Sequence, residues 1–198
     1  MMEFIIDQLV TWWQFTVVGV LIIIGFIVNM FGVDCDDVII GFEYKEMPKL
    51  QPIAIPTAGK GFWGAIWMWL MGTRNWTVAE DWIFRMEGDW YVIPAGFTFD
   101  GASIPKFLHT WLSPTGVLLM GGLVHDFAYK YETLLKNTKT KKKTIGNITQ
   151  KKADLIFRDI NIEQNGFHLL NKLAYWALRL GGFVAWNKHR KVNAKIGD

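Results

Sequence analysis

Residues able to do acid–base chemistry fall together in GGLVHDFAYKYE, residues 121–132, where His125 stands beside Asp126 and Tyr129 follows four positions after the histidine. An imidazole takes a proton from water near neutral pH, and a neighbouring carboxylate can hold a hard cation such as Ca2+ that polarises a carbonyl oxygen. On a helix, His125 and Tyr129 share a face while Asp126 is turned about 100° from His125, so the two neighbours are expected to point apart and serve separate tasks. A histidine base also needs its second ring nitrogen fixed by an acceptor. Asp154, in KKADLIFRDI, is the carboxylate expected to do this from a following helix. The rival account is structural: a His/Asp pair buried between helices and satisfied by hydrogen bonds. The residues leave both open.

Other chemistry has less behind it. Ser103 has no G-x-S-x-G elbow around it, and His109, His168 and His189 lack the spacing of metal ligands. The single cysteine, Cys35, excludes an internal disulfide framework. A net charge of +3 does not argue for nucleic acid.

The elements that must position His125 and Asp154 can be read around them. Helices are expected over about 115–135, 150–164 and 167–190. Before them, NWTVAEDWIFRM and DWYVIPAGFTFD alternate apolar and polar residues around Glu87, Gly88 and Asp89, the pattern of an antiparallel hairpin. The fold class is therefore α+β: a small antiparallel sheet followed by a three-helix domain, here 75–198. The apolar run LLNKLAYWALRLGGFVAW is expected to pack as core, with the basic tail NKHRKVNAK at the surface.

Ahead of this domain the composition changes. The hydrophobic fraction is 51%, with 11 Trp and 14 Phe, and no charged residue occurs from Gln8 to Val33. That run is long enough to cross roughly 30 Å of hydrocarbon, so residues 1–37 are expected to be a transmembrane anchor. The acidic flank, Glu3 and Asp7, argues against a cleaved signal peptide. Residues 38–74 are expected to form a short strand, a Pro-rich linker and the Trp-rich segment GFWGAIWMWLMG. This last segment is too short to span a bilayer. It is either buried or an interfacial element with Trp63, Trp67 and Trp69 among lipid headgroups. Residues 135–152 carry seven lysines and no acid, and are expected to be a solvated loop. Lys141, Lys142 and Lys143 would draw it to anionic lipid. Nucleic acid is not expected there, because no base-stacking aromatic accompanies the lysines.

Two resemblances follow from the motifs. GFTFDGASIP (96–105), HDFAY (125–129) and ADLIF (153–157) resemble, in this order, a phage and prophage family of unknown function, over about residues 75–190. That resemblance implies a viral protein; together with the expected anchor over 1–37, it gives a host inner membrane or a virion membrane as the expected location and membrane lipid and other phage or host envelope proteins as the expected partners. More narrowly, HDFAY and ADLIF resemble the two-helix core of viral phospholipase A2. That likeness implies His125 as general base, Asp126 as Ca2+ ligand, Asp154 as the carboxylate orienting His125, and Tyr129 as a hydroxyl supporting Asp154. The Gly-rich calcium loop of phospholipase A2 has no counterpart, since PKFLHTW occupies its region. Asp100 is the residue that would supply the missing ligand; its alternative is an Asx-type turn capping the loop.

Three functions are consistent with this reading. One is a membrane-anchored, metal-assisted ester hydrolase, and a second is a noncatalytic structural or interaction protein of a phage. The third, a peptidoglycan-directed enzyme, lacks both a zinc-ligand set and a spaced carboxylate pair.

Overall fold

The computed structural model describes residues 13–30, 40–55, 57–71, 75–100, 116–137, 142–192 and 196. Two antiparallel sheets and a group of helices make up these residues, so the α+β class holds. The five-stranded sheet has the order β1 (Glu43–Tyr44), β4 (Trp82–Met86), β5 (Asp89–Ile93), β7 (Leu134–Asn137), β8 (Lys142–Ile145). A three-stranded sheet pairs β2 (Leu50–Pro52) with β3 (Trp76–Val78) and β3 with β6 (Thr98–Phe99).

The predicted hairpin is β4–β5. Glu87 and Gly88 both have positive φ, 53° and 82°, which is the backbone of a two-residue turn whose twist matches the strands it joins. Along β4, Trp82, Phe84 and Met86 face the core and Ile83 and Arg85 alternate outward. The Trp82 and Phe84 rings stack at 4.9 Å, and Phe84 stacks on Tyr91 across the strands at 5.5 Å. Phe127 and Tyr131 close this core from the helical side, against Phe97.

The helices that carry the site run close to expectation: α3 (Leu119–Tyr131), α4 (Gln150–Asn165) and α5 (His168–Val192). Thr149 caps α4, its hydroxyl accepting from the Lys152 N–H at 3.3 Å, and Gly166 closes it in the left-handed region. The crossings are tight because glycines sit at the contacts. A Cβ on Gly121 of α3 would lie 2.7 Å from the Phe157 carbonyl oxygen of α4, and one on Gly182 of α5 would lie 2.5 Å from the Tyr129 hydroxyl. The α4 C-terminal turn also holds the chain entering β1. The Glu163 carboxylate accepts the backbone N–H groups of Ile40, Gly41 and Phe42 at 2.5, 3.0 and 2.6 Å. Gly41, at φ 59°, lets successive amides converge on one anion.

The remaining expectations compare with the structure as follows. Of the span expected over 8–33, the described part is α1 (Trp13–Met30), which packs against α5. Among the described residues no helix is long and apolar enough to cross a membrane. The Trp-rich segment forms α2 (Gly61–Met71), but Phe62, Trp63 and Trp67 are 71%, 78% and 63% exposed, so this face is not core. The lysine-rich stretch is not wholly loop either. It contributes β7 and β8, which pair with each other, and Leu134 and Leu135 at the start of β7 are buried. Finally, α5 is only half core, since Leu180, Phe183 and Val184 face outward.

Candidate active site

Asp154 is the centre of the site. It sits in the first half of α4, one residue past Ala153, and its carboxylate has no solvent exposure. Burying a carboxylate is costly unless its oxygens are filled, and here three groups from two other helices fill them. Oδ1 faces His125 Nε2 at 3.0 Å and accepts the Tyr129 hydroxyl at 2.6 Å; Oδ2 accepts from Arg179 Nη1 at 2.7 Å. The four-residue spacing brings His125 and Tyr129 to one face of α3, with ring centroids 3.9 Å apart. Trp186 packs edge-on to Tyr129 and Phe157 edge-on to His125, which fixes both rings.

An acceptor-only carboxylate at Nε2 assigns the ring proton to that nitrogen, leaving Nδ1 as the basic atom of neutral His125. Asp126 Oδ1 lies 3.4 Å from Nδ1. The two neighbours therefore meet, contrary to the expectation that they point apart, because both side chains fold along α3 toward one spot. Burial pushes the Asp126 carboxyl up to about 7; His125 opposes this, and the nearby Asp100 carboxyl adds to it. His125 is pulled down by its own burial, but the Asp126 and Asp154 carboxyls outweigh that and raise it. Asp126 and Nδ1 thus face each other as two groups that both favour the protonated form. Burial and the Asp154 carboxylate hold the Tyr129 hydroxyl well above the usual phenol range, so it acts as a fixed donor.

The structure brings His125, Asp126, Tyr129, Asp154 and Asp100 into one neighbourhood. His189 also lies near it, its basicity lowered by burial and by Arg190, Lys130 and Lys188 and raised by Asp100. Lys141, Ser103 and His109 lie outside the described residues, as do the side chains of Trp69, Lys142 and Lys143. Trp63 and Trp67 are on α2, which is not among the elements packed around Asp154. Arg179 was not anticipated. Its signal was available, since it is one of only two charges between Leu169 and Asn187, in a run otherwise apolar or amide-bearing.

Asp100 and Asp126 are the two carboxylates toward which a cation would be drawn. Two carboxylates fall short of the six to eight oxygens that Ca2+ takes, and among the described residues no three His, Cys, Asp or Glu side chains gather as a metal set. These residues alone do not make a calcium site.

A family model described as "Protein of unknown function (DUF1353)" matches residues 76–178, just over half of the 198-residue chain. The chain belongs to the DUF1353 family. The DUF1353 segment holds Asp100, His125, Asp126, Tyr129 and Asp154, and stops one residue before Arg179. Helices α1 and α2 precede it. No curated protein matches the chain, and no solved structure does.

Proposed function

We propose that this DUF1353 protein is an ester hydrolase acting at a membrane surface, with His125 as general base. The observation that carries the reading is the buried Asp154 carboxylate, which collects His125 Nε2, Tyr129 and Arg179 and leaves Nδ1 as the one basic ring nitrogen. In the reaction, Nδ1 takes a proton from water as the water oxygen adds to the ester carbonyl. The imidazolium so formed is held by Asp154 through Nε2–H, and its Nδ1 proton passes to the leaving alkoxide as the tetrahedral intermediate collapses. Tyr129 and Arg179 keep Asp154 in place. No step is routed through a cation at Asp126 and Asp100.

The likeness of HDFAY and ADLIF to viral phospholipase A2 favours a phospholipid ester, and the exposed Trp63 and Trp67 of α2 favour contact with a bilayer. The resemblance in motif order to the phage and prophage family favours an envelope membrane during infection as the setting, where Lys141, Lys142 and Lys143 would be drawn to anionic headgroups. The test is fatty-acid release from phospholipid micelles, with and without Ca2+, by the full chain and by His125→Gln. Release by the parent, lost at least about a hundredfold in a variant with unchanged circular dichroism, supports the reading. Release that is equal in both, or absent from the parent on phospholipids and short-chain esters, overturns it.

A second reading has its own observation. His125 is 2% exposed with a carboxylate near each ring nitrogen, as expected of a helix clamp in a noncatalytic structural component. In that case His125→Gln lowers the melting temperature and there is no activity to lose.

A further inference from the structure

Helix α5 presents two unlike faces. Tyr175, Arg179, Gly182 and Trp186 turn toward α3 and α4, while Leu180, Phe183 and Val184 turn outward, with Leu180 76% and Val184 63% exposed. The outward line Leu180, Val184, Lys188, Lys191 follows helical spacing, so an apolar stripe passes directly into an exposed cationic one. Beside it packs α1, an uncharged helix whose Phe15, Val20, Ile22, Ile23 and Ile24 are also exposed. The three on α5 and five on α1 make eight large apolar side chains exposed on two packed helices, more than a surface facing water ordinarily leaves open.

The charge pattern selects among occupants. Neither α1 nor α5 contains an acidic residue. A second copy seated on this face through a two-fold axis would bring lysines toward lysines with no carboxylate between them. An anionic bilayer offers both complements, acyl chains for the apolar stripe and headgroup phosphates for Lys188 and Lys191. We infer that the outward faces of α1 and α5 form a docking surface for an anionic lipid bilayer, separate from the tryptophans of α2. The surface lies on the helix that also holds Arg179 against Asp154, so docking sets the height of the site above the lipid. The inference does not depend on hydrolysis.

The experiment is flotation of the full chain with vesicles of ether-linked phospholipid, which contain no carboxylic ester. One set is of phosphatidylcholine alone and the other includes phosphatidylglycerol. The variants are Leu180→Asp/Val184→Asp, Lys188→Glu/Lys191→Glu and Trp63→Ser/Trp67→Ser, each checked for an unchanged melting temperature. The parent is expected to float more strongly with anionic vesicles. The apolar pair is expected to lose binding to both sets, and the lysine pair to lose at least about tenfold with anionic vesicles only. Two results overturn the inference. One is unchanged flotation of the Leu180/Val184 variant, with or without loss in the tryptophan variant. The other is a sedimentation coefficient that falls in the Leu180/Val184 variant while flotation is kept, which would make the face a contact between copies. Neither result bears on whether His125 hydrolyses esters.

Discussion

The aromatic core under the five-stranded sheet and the polar crossing of α3, α4 and α5 are both buried, yet they are filled in opposite ways. Trp82, Phe84 and Tyr91 meet as stacked rings and Phe97 meets Phe127 edge-on, contacts that tolerate small shifts because dispersion is spread over many atom pairs. At the crossing, each polar atom of Asp154 has a designated partner and the helices approach through Gly121 and Gly182. Stability on the sheet side depends on volume; on the helical side it depends on identity. The difference implies that equal-sized substitutions cost little in one place and much in the other.

The largest contrast is expected from Asp154→Ala. It leaves Arg179 and the Tyr129 hydroxyl beside an apolar gap, a loss of about 3–5 kcal/mol, whereas Phe84→Leu in the sheet core costs about 1–2 kcal/mol. Urea unfolding of both variants measures this, and equal losses would erase the distinction. Next come Gly121→Ala and Gly182→Ala, each expected to cost about 1–3 kcal/mol through overpacking. Gly182→Ala should in addition displace the Tyr129 hydroxyl, read as a change in tyrosine absorbance.

A pH series sharpens the comparison further. Folding holds Asp126 protonated up to about 7 rather than the ordinary 3.8 and raises His125, so both groups favour the protonated protein. The stability they lend is full at low pH and declines as pH rises, between about 4 and 7 for Asp126 and as pH passes the raised His125 value. Melting temperature is thus expected to fall from pH 5 to 8, and Asp126→Asn to flatten the fall. A parent protein most stable at pH 8 would contradict this arrangement. The smallest effect is expected at the rim, where Thr149→Ala removes a helix cap and costs about 1 kcal/mol, measured by the same unfolding series.

What the sequence made legible divides along similar lines. Apolar spacing located α3, α4 and α5, and Glu87–Gly88 the β4–β5 turn, within a few residues, because those signals are local. The pairing of His125 with Asp154 and Tyr129 was also legible, since a four-residue spacing and a carboxylate on the next helix suffice to propose it. Arg179 was missed because a lone arginine in an apolar helix carries no motif that names its partner, and only the α4–α5 crossing brings it to Asp154. Asp126 was assigned to the wrong direction because ideal helical angles ignore where a short side chain leans. The β7–β8 hairpin was hidden by its lysines, which suggested solvent although Leu134 and Leu135 were there to bury. The outward apolar half of α5 could not be told from core, since hydrophobicity alone does not say which surface covers it.

The grip of Glu163 on Ile40, Gly41 and Phe42 has a mechanical meaning. Tension applied to the chain ahead of residue 40 is delivered through three amides to the last turns of α4, the helix that bears Asp154, before any strand of the sheet is loaded. A pull on the chain at residue 40 is therefore borne by the helix that carries the site.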